Sequence, residues 1–262
     1  MAKLVRPKKS LGQHFLTDLD IARRIAETLS DYKGMPILEV GPGMGVLTQY
    51  LLEEQHDVTV VEIDTESVAY LNKNFPQLSG RIVEGDFLQM DLAKEFGKNL
   101  CVIGNYPYNI SSQIFFKVLD YKDMVPCCSG MIQKEVAERL AAKPGSKTYG
   151  ILSVLMQAWY NVEYLFTVSE HVFNPPPKVK SAVIRMTRND VTELGCNEQL
   201  FKRIVKTAFN QRRKTMRNSL KSIIESGSPI LANEVFNLRP EQISVAQFIE
   251  LTNEIEKHIV KP

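Results

Sequence analysis

The sequence predicts an α/β fold in which a parallel sheet carries helices on both faces and a small all-helical domain follows. Two observations support this prediction. Between residues 18 and 159, short runs rich in Val, Ile and Leu alternate with segments of helical spacing, as in βαβ units. After residue 187 the pattern changes to short amphipathic segments, in which Phe201, Ile204, Val205 and Ala208 recur on one helical face. At 262 residues, the chain has room for a large domain and a smaller one.

The first half of the chain predicts four strands, separated by helices and turns. A helix capped by Thr17 or Asp18 precedes them, because apolar residues recur at helical spacing from Ile21 to Leu29. Short apolar runs mark the buried strands, and a tight turn at Gly41–Gly45 follows the first of them. The predicted strands span residues 36–40, 57–63, 81–84 and 100–104, and the predicted helices span 46–54, 66–74 and 111–119.

The second half predicts the end of the sheet and the helical domain. A fifth strand contains Met131 and Ile132, and helices follow near residues 135–142 and 149–159. No helix separates segments 160–167 and 181–187, so we expect a terminal antiparallel pair, and the prolines between residues 174 and 178 exclude a helix there. We therefore expect domains at residues 1–188 and 189–262.

The composition is that of a soluble globular protein, yet its basic residues are clustered. The net charge is +2, and no apolar run approaches the roughly 18 residues that a membrane span needs. The N-terminus lacks a signal-peptide pattern, so we expect a cytoplasmic protein without a membrane partner. Eight Lys or Arg residues and no acidic residue lie between Lys202 and Lys221, and Lys3, Arg6, Lys8 and Lys9 form a second basic group. These clusters predict a polyanionic partner.

The cysteines and histidines predict neither a metal site nor a catalytic triad. The four cysteines have no C-x-x-C spacing and stand mostly among apolar residues, which favours buried free thiols. The four histidines are scattered along the chain and pair with no carboxylate cluster. We expect no metal ion.

A glycine-rich turn after the first strand predicts a nucleoside site. Gly41, Gly43 and Gly45 let the backbone turn sharply and let a ligand approach the main chain closely. A dinucleotide fingerprint needs its third glycine at position 46, where this chain has Val46. The pattern is therefore G-x-G-x-G and does not match that fingerprint.

Two carboxylates at the ends of successive strands favour S-adenosylmethionine among the candidate nucleoside ligands. Glu62 ends the second strand, where a carboxylate can accept hydrogen bonds from both ribose hydroxyls, and the apolar Ile63 follows it. Asp86 can accept from an adenine amine while Phe87 lies against the ring. Together they describe a nucleoside with no pyrophosphate to neutralise, which fits S-adenosylmethionine better than NAD or ATP.

The tetrapeptide Asn105–Tyr108 follows the fourth strand and predicts an amine acceptor site. The side-chain carbonyl of Asn105 and the backbone carbonyl of Tyr106, held by Pro107, can accept the two hydrogens of an adenine N6 amine. Tyr108 offers an aromatic face for the base, and Phe173 is a candidate for the opposite face or, equally, a core aromatic. A base held between rings must be unpaired or extruded from its helix.

Several motifs in order resemble the KsgA family of small-subunit ribosomal RNA adenine dimethyltransferases, and the resemblance covers nearly the whole chain. The motifs are Lys9–Leu16, Glu39–Gly43, Gly85–Phe87, Asn105–Asn109, Gln133–Glu135, Phe173–Val179, Phe209–Leu220 and Ile243–Gln247. The resemblance implies an α/β, Rossmann-like class I methyltransferase sheet with helices on both faces plus a small C-terminal all-helical domain. It also implies transfer of four methyl groups to two adjacent adenosines in the 3′-terminal hairpin of 16S rRNA, within the immature small ribosomal subunit.

The resemblance also implies roles for individual residues. Tyr108 and Phe173 should bracket the adenine. The family usually has Leu where this chain has Tyr106, which puts the packing behind the pocket in question. We expect a monomer. The implied cofactor contacts are His14, Leu16, Gly41, Gly43, Glu62, Ile63, Asp86, Phe87 and Asn105, and the implied RNA contacts are Arg212, Arg213, Lys214 and Arg217.

Two other functions share parts of these patterns. An Erm-type methyltransferase of 23S rRNA has the same cofactor site and acceptor motif. Segments 173–179 and 210–220, however, favour a KsgA-type methyltransferase of small-subunit RNA. A mainly non-enzymatic ribosome assembly factor would bind the immature subunit and delay its maturation, a role that can coexist with methylation. A DNA adenine methyltransferase is disfavoured, because its motif is usually Asp-Pro-Pro-Tyr and the chain has no room for a target-recognition domain.

Overall fold

A seven-stranded sheet organises most of the first two thirds of the chain. The protein is described here by a computed structural model that covers residues 5–259. Its strands are β1 (Phe15–Leu16), β2 (Pro36–Val40), β3 (Asp57–Glu62), β4 (Ile82–Glu84), β5 (Cys101–Asn105), β6 (Cys127–Gln133), β7 (Tyr160–Val168), β8 (Phe173–Asn174) and β9 (Ser181–Arg188). The order across the large sheet is β4-β3-β2-β5-β6-β9-β7.

The central strands are parallel and buried, as the sequence predicts. β2 pairs in parallel with β3 and β5, β3 with β4, and β5 with β6, whereas β9 runs antiparallel to β6. Every residue of β2 is buried, and so are the first six residues of β6. Burial on both faces requires cover on both faces, which the helices provide. The predicted pair of late strands is also found, with β9 next to β6 and β7 at the margin of the sheet.

The helices follow the predicted order with small shifts at their ends. α1 begins where Asp18 accepts a hydrogen bond from the backbone of Ile21 (3.1 Å), and it continues as a 3-10 helix at Glu27–Tyr32. The α-helices are α1 (Leu19–Ala26), α2 (Thr48–Glu53), α3 (Thr65–Asn74), α4 (Leu92–Phe96), α5 (Ser111–Asp120), α6 (Lys134–Leu140), α7 (Ile151–Gln157), α8 (Glu198–Asn210), α9 (Met216–Ser219) and α10 (Val245–Glu256).

A second, two-stranded sheet was not predicted. β1 pairs antiparallel with β8, so that Phe15 lies opposite Asn174 and Leu16 opposite Phe173. The backbone N–H of Thr17 extends this pairing by donating to the carbonyl of Val172 at 2.8 Å. Two-residue strands show no periodicity, and their partners are more than 150 residues apart in the chain. Only the folded chain brings them together.

The chain divides into two compact units, and the division differs from the predicted domains in one segment. The first unit runs up to Ala137 and includes Val162–Arg188, whereas the second unit combines Glu138–Asn161 with the chain from Asn189 onward. In the second unit α7 packs against α8 and α10. Rings also meet edge to face there, with centroids 6.0 Å apart for Trp159 and Phe201. The segment containing α7 therefore groups with the C-terminal helices.

Candidate active site

A cavity of about 270 Å³ lies where the parallel strands of the first unit end. Its lining comes mainly from segments within residues 10–16, 39–47, 61–63, 85–88 and 105–110. Carboxyl ends of parallel strands meet at one edge of a sheet, which brings these distant segments together. All the predicted cofactor and acceptor residues line the cavity except Phe173.

The glycine turn after β2 closes one wall of the cavity. Gly41, Gly43 and Gly45 all have positive φ values, of 67°, 56° and 78°. A Cβ atom at Gly43 would lie 2.9 Å from the ring of Phe15, and one at Gly45 would lie 2.4 Å from the ring of Phe75. Both the backbone conformation and the space therefore require glycine at these positions.

Glu62 is held at the end of β3 with its carboxylate fixed by the backbone. Its two oxygens accept hydrogen bonds from the N–H groups of Gly43 and Asp64, each at 2.9 Å. Burial raises the pKa of Glu62, and these two hydrogen bonds oppose that rise. The glycine turn and the strand end thus orient the carboxylate predicted to bind the ribose.

Asp86, Phe87 and Ile63 form the part of the cavity predicted to hold an adenine ring. Asp86 caps a short 3-10 helix by accepting from the N–H of Leu88 at 2.8 Å, which fixes its carboxylate. Phe87 is buried, whereas Ile63 is 52% exposed at the cavity. The carboxylate of Asp86, which can accept a hydrogen bond from an amine, therefore shares the cavity with two apolar side chains that suit a flat ring.

Lys117 of α5 supports this region and was missed in the sequence analysis. Its ammonium group donates to the carbonyl oxygens of Leu88, at 3.1 Å, and of Met90. It also lies 5.6 Å from the centre of the Phe87 ring. Burial lowers the pKa of Lys117, while neighbouring carboxylates including Asp86 oppose that effect. Lys117 and its partners are more than 25 residues apart in the sequence, so no local pattern predicts these contacts.

Asn105 ends β5 with a defined side-chain orientation. Its amide nitrogen donates to the backbone carbonyl of His14 at 3.1 Å. The amide oxygen therefore remains to accept a hydrogen bond from a ligand. This contact also joins the segment before β1 to the end of β5, on the cavity that both segments line.

Tyr106 is accommodated by two glycines that face each other on neighbouring strands. Gly104 of β5 pairs with Gly130 of β6, and a Cβ atom at Gly130 would lie 2.7 Å from the Tyr106 ring. The ring is 1% exposed, and its hydroxyl donates to the carbonyl of Ser129 at 2.7 Å. The backbone N–H of Tyr106 donates to the carbonyl of Met131 at 3.0 Å. The side-chain hydroxyl and the backbone N–H of Tyr106 thus each join the tetrapeptide to β6.

Tyr108 is also held in place by its neighbours. Its hydroxyl forms a hydrogen bond of 2.5 Å with the hydroxyl of Ser181, and its ring stacks on that of His14 with centroids 5.3 Å apart. His14 in turn bonds through Nδ1 to the carbonyl of Pro175 at 2.8 Å. Pro107 lies on the same cavity wall.

Phe173 occupies a different place from the one predicted for a base contact. It is 4% exposed, belongs to the main hydrophobic core and does not line the cavity. Its strand β8 pairs with β1, opposite Leu16, because both side chains bury apolar surface there. Any influence of Phe173 on a bound base would pass through this pairing.

Glu39 is a second residue of the site that the sequence analysis did not single out. It lines the cavity, is 1% exposed, and accepts a hydrogen bond from the hydroxyl of Thr48 at 2.7 Å. Burial raises its pKa to about 8; the Thr48 hydrogen bond opposes this rise, and the nearby Glu62 adds to it. A carboxyl group in the wall of the cavity therefore stays largely protonated at neutral pH.

The predicted RNA-binding residues lie in the second unit, and they differ in how freely they can bind a ligand. Arg212 donates to the carbonyl of Ser146 at 3.3 Å and lies 3.8 Å from the carboxylate of Glu241. Arg213 and Lys214 are exposed. Lys214 donates to the side chain of Gln211, and Arg217 to that of Asn237. Lys3, of the other basic group, lies outside the described residues.

The described part of the chain contains neither a cluster of metal-ligand side chains nor a membrane-spanning helix. Within residues 5–259, no group of three His, Cys, Asp or Glu side chains could hold a metal ion. In the same range, no helix is long and apolar enough to cross a membrane. All four cysteines are free thiols: Cys101, Cys127 and Cys128 are buried, and Cys196 is partly exposed.

Comparison with known proteins decides the family. The model of the family described as ribosomal RNA adenine dimethylase matches residues 5–257. The chain belongs to this family. The ribosomal RNA small subunit methyltransferase A of Parabacteroides distasonis is 70% identical over 99% of this chain and 97% of its own length. The protein of the same name from Bacteroides thetaiotaomicron is 66% identical over 97% of this chain and 96% of its own length.

Solved structures support the fold. A dimethyladenosine transferase from Plasmodium falciparum has a TM-score of 0.78 and 23% identity, over 93% of this chain and 98% of that one. The 23S rRNA methyltransferase ErmE has a TM-score of 0.67 and 25% identity, over 91% of this chain and 99% of that one. The predicted Rossmann-like class I methyltransferase fold is confirmed, and the protein is an enzyme of the methyltransferase class.

The protonated Glu39 predicts a pH-dependent stability. Its pKa is about 8 in the folded state and near 4.5 when exposed, so between these values only the folded state keeps the proton. The free energy of unfolding should therefore decrease as the pH rises from about 4.5 to about 8. The decrease is at most about 1.4 kcal/mol for each unit by which the two pKa values differ. Glu39→Gln, which mimics the neutral acid, should lose less stability than the parent between pH 5.5 and 8.5 in urea unfolding. Exposed Glu95→Gln is the control, and parallel curves for Glu39→Gln and the parent would contradict the assignment.

Proposed function

We propose that this protein transfers methyl groups from S-adenosylmethionine to the N6 amines of two adjacent adenosines in the 3′-terminal hairpin of 16S rRNA. The substrate is the RNA within the immature small ribosomal subunit. Family membership and the names of the relatives support this substrate. The observation that carries the proposal is the position of Asn105, whose free amide oxygen stands on the same cavity as Glu62 and Asp86.

The residues around the cavity fit S-adenosylmethionine. Glu62 would bind the ribose hydroxyls and Asp86 the adenine amine, while Ile63 and Phe87, which line the same cavity, would contact the ring. Gly41 would let the backbone approach the ligand closely. No Lys or Arg occurs among the described residues that line the cavity, which disfavours a ligand with a pyrophosphate. When bound, S-adenosylmethionine supplies a methyl group already activated by its sulfonium.

The protein contributes position and hydrogen-bond acceptors to the reaction. The amide oxygen of Asn105 and the backbone carbonyl of Tyr106 would accept the two N6 hydrogens of the target adenine. Because positive charge develops on the amine during transfer, these acceptors bind the transition state more strongly than the ground state. Tyr106 keeps this geometry through its bonds to Ser129 and Met131.

Tyr108 is the proposed platform for the target base. Its ring is held by Ser181 and already stacks on His14, so an aromatic surface exists at the cavity without rearrangement of the tetrapeptide. Stacking of a base on an aromatic ring contributes about 1 to 3 kcal/mol. Phe173 would support this surface indirectly, through the pairing of β8 with β1.

Methyl transfer to unmethylated small subunits tests the activity. Labelled S-adenosylmethionine should place four methyl groups on two adjacent adenosines near the 3′ end of 16S rRNA, mapped by mass spectrometry of RNA fragments. Methylation of protein-free 23S rRNA, with small subunits untouched, would favour the Erm-type function instead. Subunit binding without any methylation would favour a purely structural assembly role.

Glu62→Ala should separate cofactor binding from subunit binding. Loss of the ribose acceptor should abolish S-adenosylmethionine binding in calorimetry and also methylation, while subunit binding in sedimentation stays largely intact. The matched control is Glu84→Ala, because Glu84 pairs with Glu62 across β3 and β4 but is exposed and outside the cavity lining. Simultaneous loss of both kinds of binding would argue against separate sites.

Lys117→Met should weaken cofactor binding through the loop that carries Asp86 and Phe87. Without the ammonium group, the carbonyls of Leu88 and Met90 lose their donor and the loop loses its support. We expect the Kd for S-adenosylhomocysteine to rise about tenfold, which corresponds to about 1.4 kcal/mol. Exposed Lys94→Met in α4 removes the same charge and serves as the control. An unchanged Kd in calorimetry would remove Lys117 from this role.

Replacing Arg213 and Lys214 with Gln should weaken binding to small subunits and make it less salt-dependent. Each lost phosphate contact should reduce the slope of log affinity against log salt by about 0.7 to 0.9. Arg212 is unsuitable for this test, because it also bonds to Ser146 and lies near Glu241. Exposed Lys257→Gln is the control, and equal slopes for the double variant and the parent would refute the RNA contact.

A further inference from the structure

The loop before β9 presents two exposed lysines between buried anchors. Pro177 and Ser181 are buried, whereas Lys178, Val179 and Lys180 between them are exposed, with Val179 at 42%. Few large apolar side chains are as exposed as Val179 among residues 5–259. The exposed Lys-Val-Lys surface is therefore held in place by a buried residue at each end.

The loop is held by three hydrogen bonds, two of which join it to residues that line the cavity, His14 and Tyr108. The carbonyl of Pro175 bonds to His14 at 2.8 Å, and the hydroxyl of Ser181 bonds to Tyr108 at 2.5 Å. The carbonyl of Lys180 accepts from the backbone N–H of Lys134 at 2.9 Å. Lys180 is thus the immediate neighbour of the residue that positions the proposed base platform.

The backbone of this loop is also stiff. Three consecutive prolines at positions 175–177 have φ fixed near −65° by their rings. A preordered segment loses little conformational entropy when it binds, so its charges favour binding more than those of a mobile loop would. Segment 174–181 contains no acidic residue that would offset the two lysines.

We propose that Lys178 and Lys180 bind the RNA backbone next to the target adenosine, as a second phosphate site separate from the basic segment of the helical unit. This inference rests on the proposed function. Ser181 bonds to Tyr108 and directly follows Lys180, so the two lysines would meet the phosphates that flank a base stacked on Tyr108. The exposed Val179 would contact a ribose or a base face between those phosphates.

The chemistry of the loop favours RNA over other partners. Lysine ammonium groups bind phosphates as point charges and carry no sequence information, which suits a contact that positions the RNA while the cavity selects the base. The site would therefore act in RNA binding, by adding affinity for the strand that carries the target adenosine before the methyl group is transferred. The basic segment of the helical unit would instead support docking of the whole subunit.

The test is the double variant Lys178→Gln/Lys180→Gln, assayed on unmethylated small subunits at several salt concentrations. We expect the KM for subunits to rise severalfold and the salt slope of kcat/KM to become shallower by about 1.5. The Kd for S-adenosylhomocysteine and the kcat at saturating subunits should stay unchanged, because neither lysine lines the cavity.

The matched control is Lys33→Gln/Lys98→Gln. These lysines are exposed and precede β2 and β5, at the edge of the sheet opposite the cavity. Unchanged KM and salt slope in the loop variant, with an active parent enzyme, would overturn the phosphate site. A changed Kd for the cofactor, or an equal effect in the control, would overturn it as well. An inactive parent on small subunits would instead count against the proposed function itself.

Discussion

The parallel pairing of β2 between β3 and β5 is the constraint on which the site depends. Val40 lies opposite Val61, and Glu39 lies opposite Ile103, so the three strands end at one edge of the sheet. A slip of one residue would turn every side chain of a strand to the other face, and β2 is buried on both faces. The register therefore decides that Gly41, Glu62 and Asn105 meet on one cavity.

The segment before β1 lies at the same edge of the sheet. It contacts both the proposed cofactor pocket and the proposed acceptor site. On the cofactor side, the carboxylate of Asp64 accepts from the side chains of Lys8 and Gln13. Burial alone would raise the pKa of Asp64, but these donors outweigh burial and lower it. On the acceptor side, His14 bonds to Asn105. A short N-terminal stretch thus couples the proposed cofactor pocket to the proposed acceptor site.

The proposed acceptor site contains hydrogen-bond acceptors rather than a proton-accepting base. Burial raises the pKa of Tyr106 well above its ordinary value, and burial also raises that of Tyr108 despite the opposing bond from Ser181. Both phenols therefore stay neutral at physiological pH, and the amide of Asn105 does not titrate. Such a site suits a reaction whose methyl donor is already activated, because positioning then supplies most of the catalysis.

Local sequence patterns were enough to predict the strands of the large sheet, the glycine turn and the polar residues at the strand ends, including Glu62, Asp86 and Asn105. These features are local, since hydrophobic periodicity and turn chemistry are written in adjacent residues. Long-range contacts in the folded chain, in contrast, pair Phe173 with β1 and place Lys117 against the Asp86 loop. The same holds for the glycines that make room for Tyr106 and for the grouping of α7 with the C-terminal helices. Each of these depends on contacts between residues far apart in the chain, which a single sequence does not record.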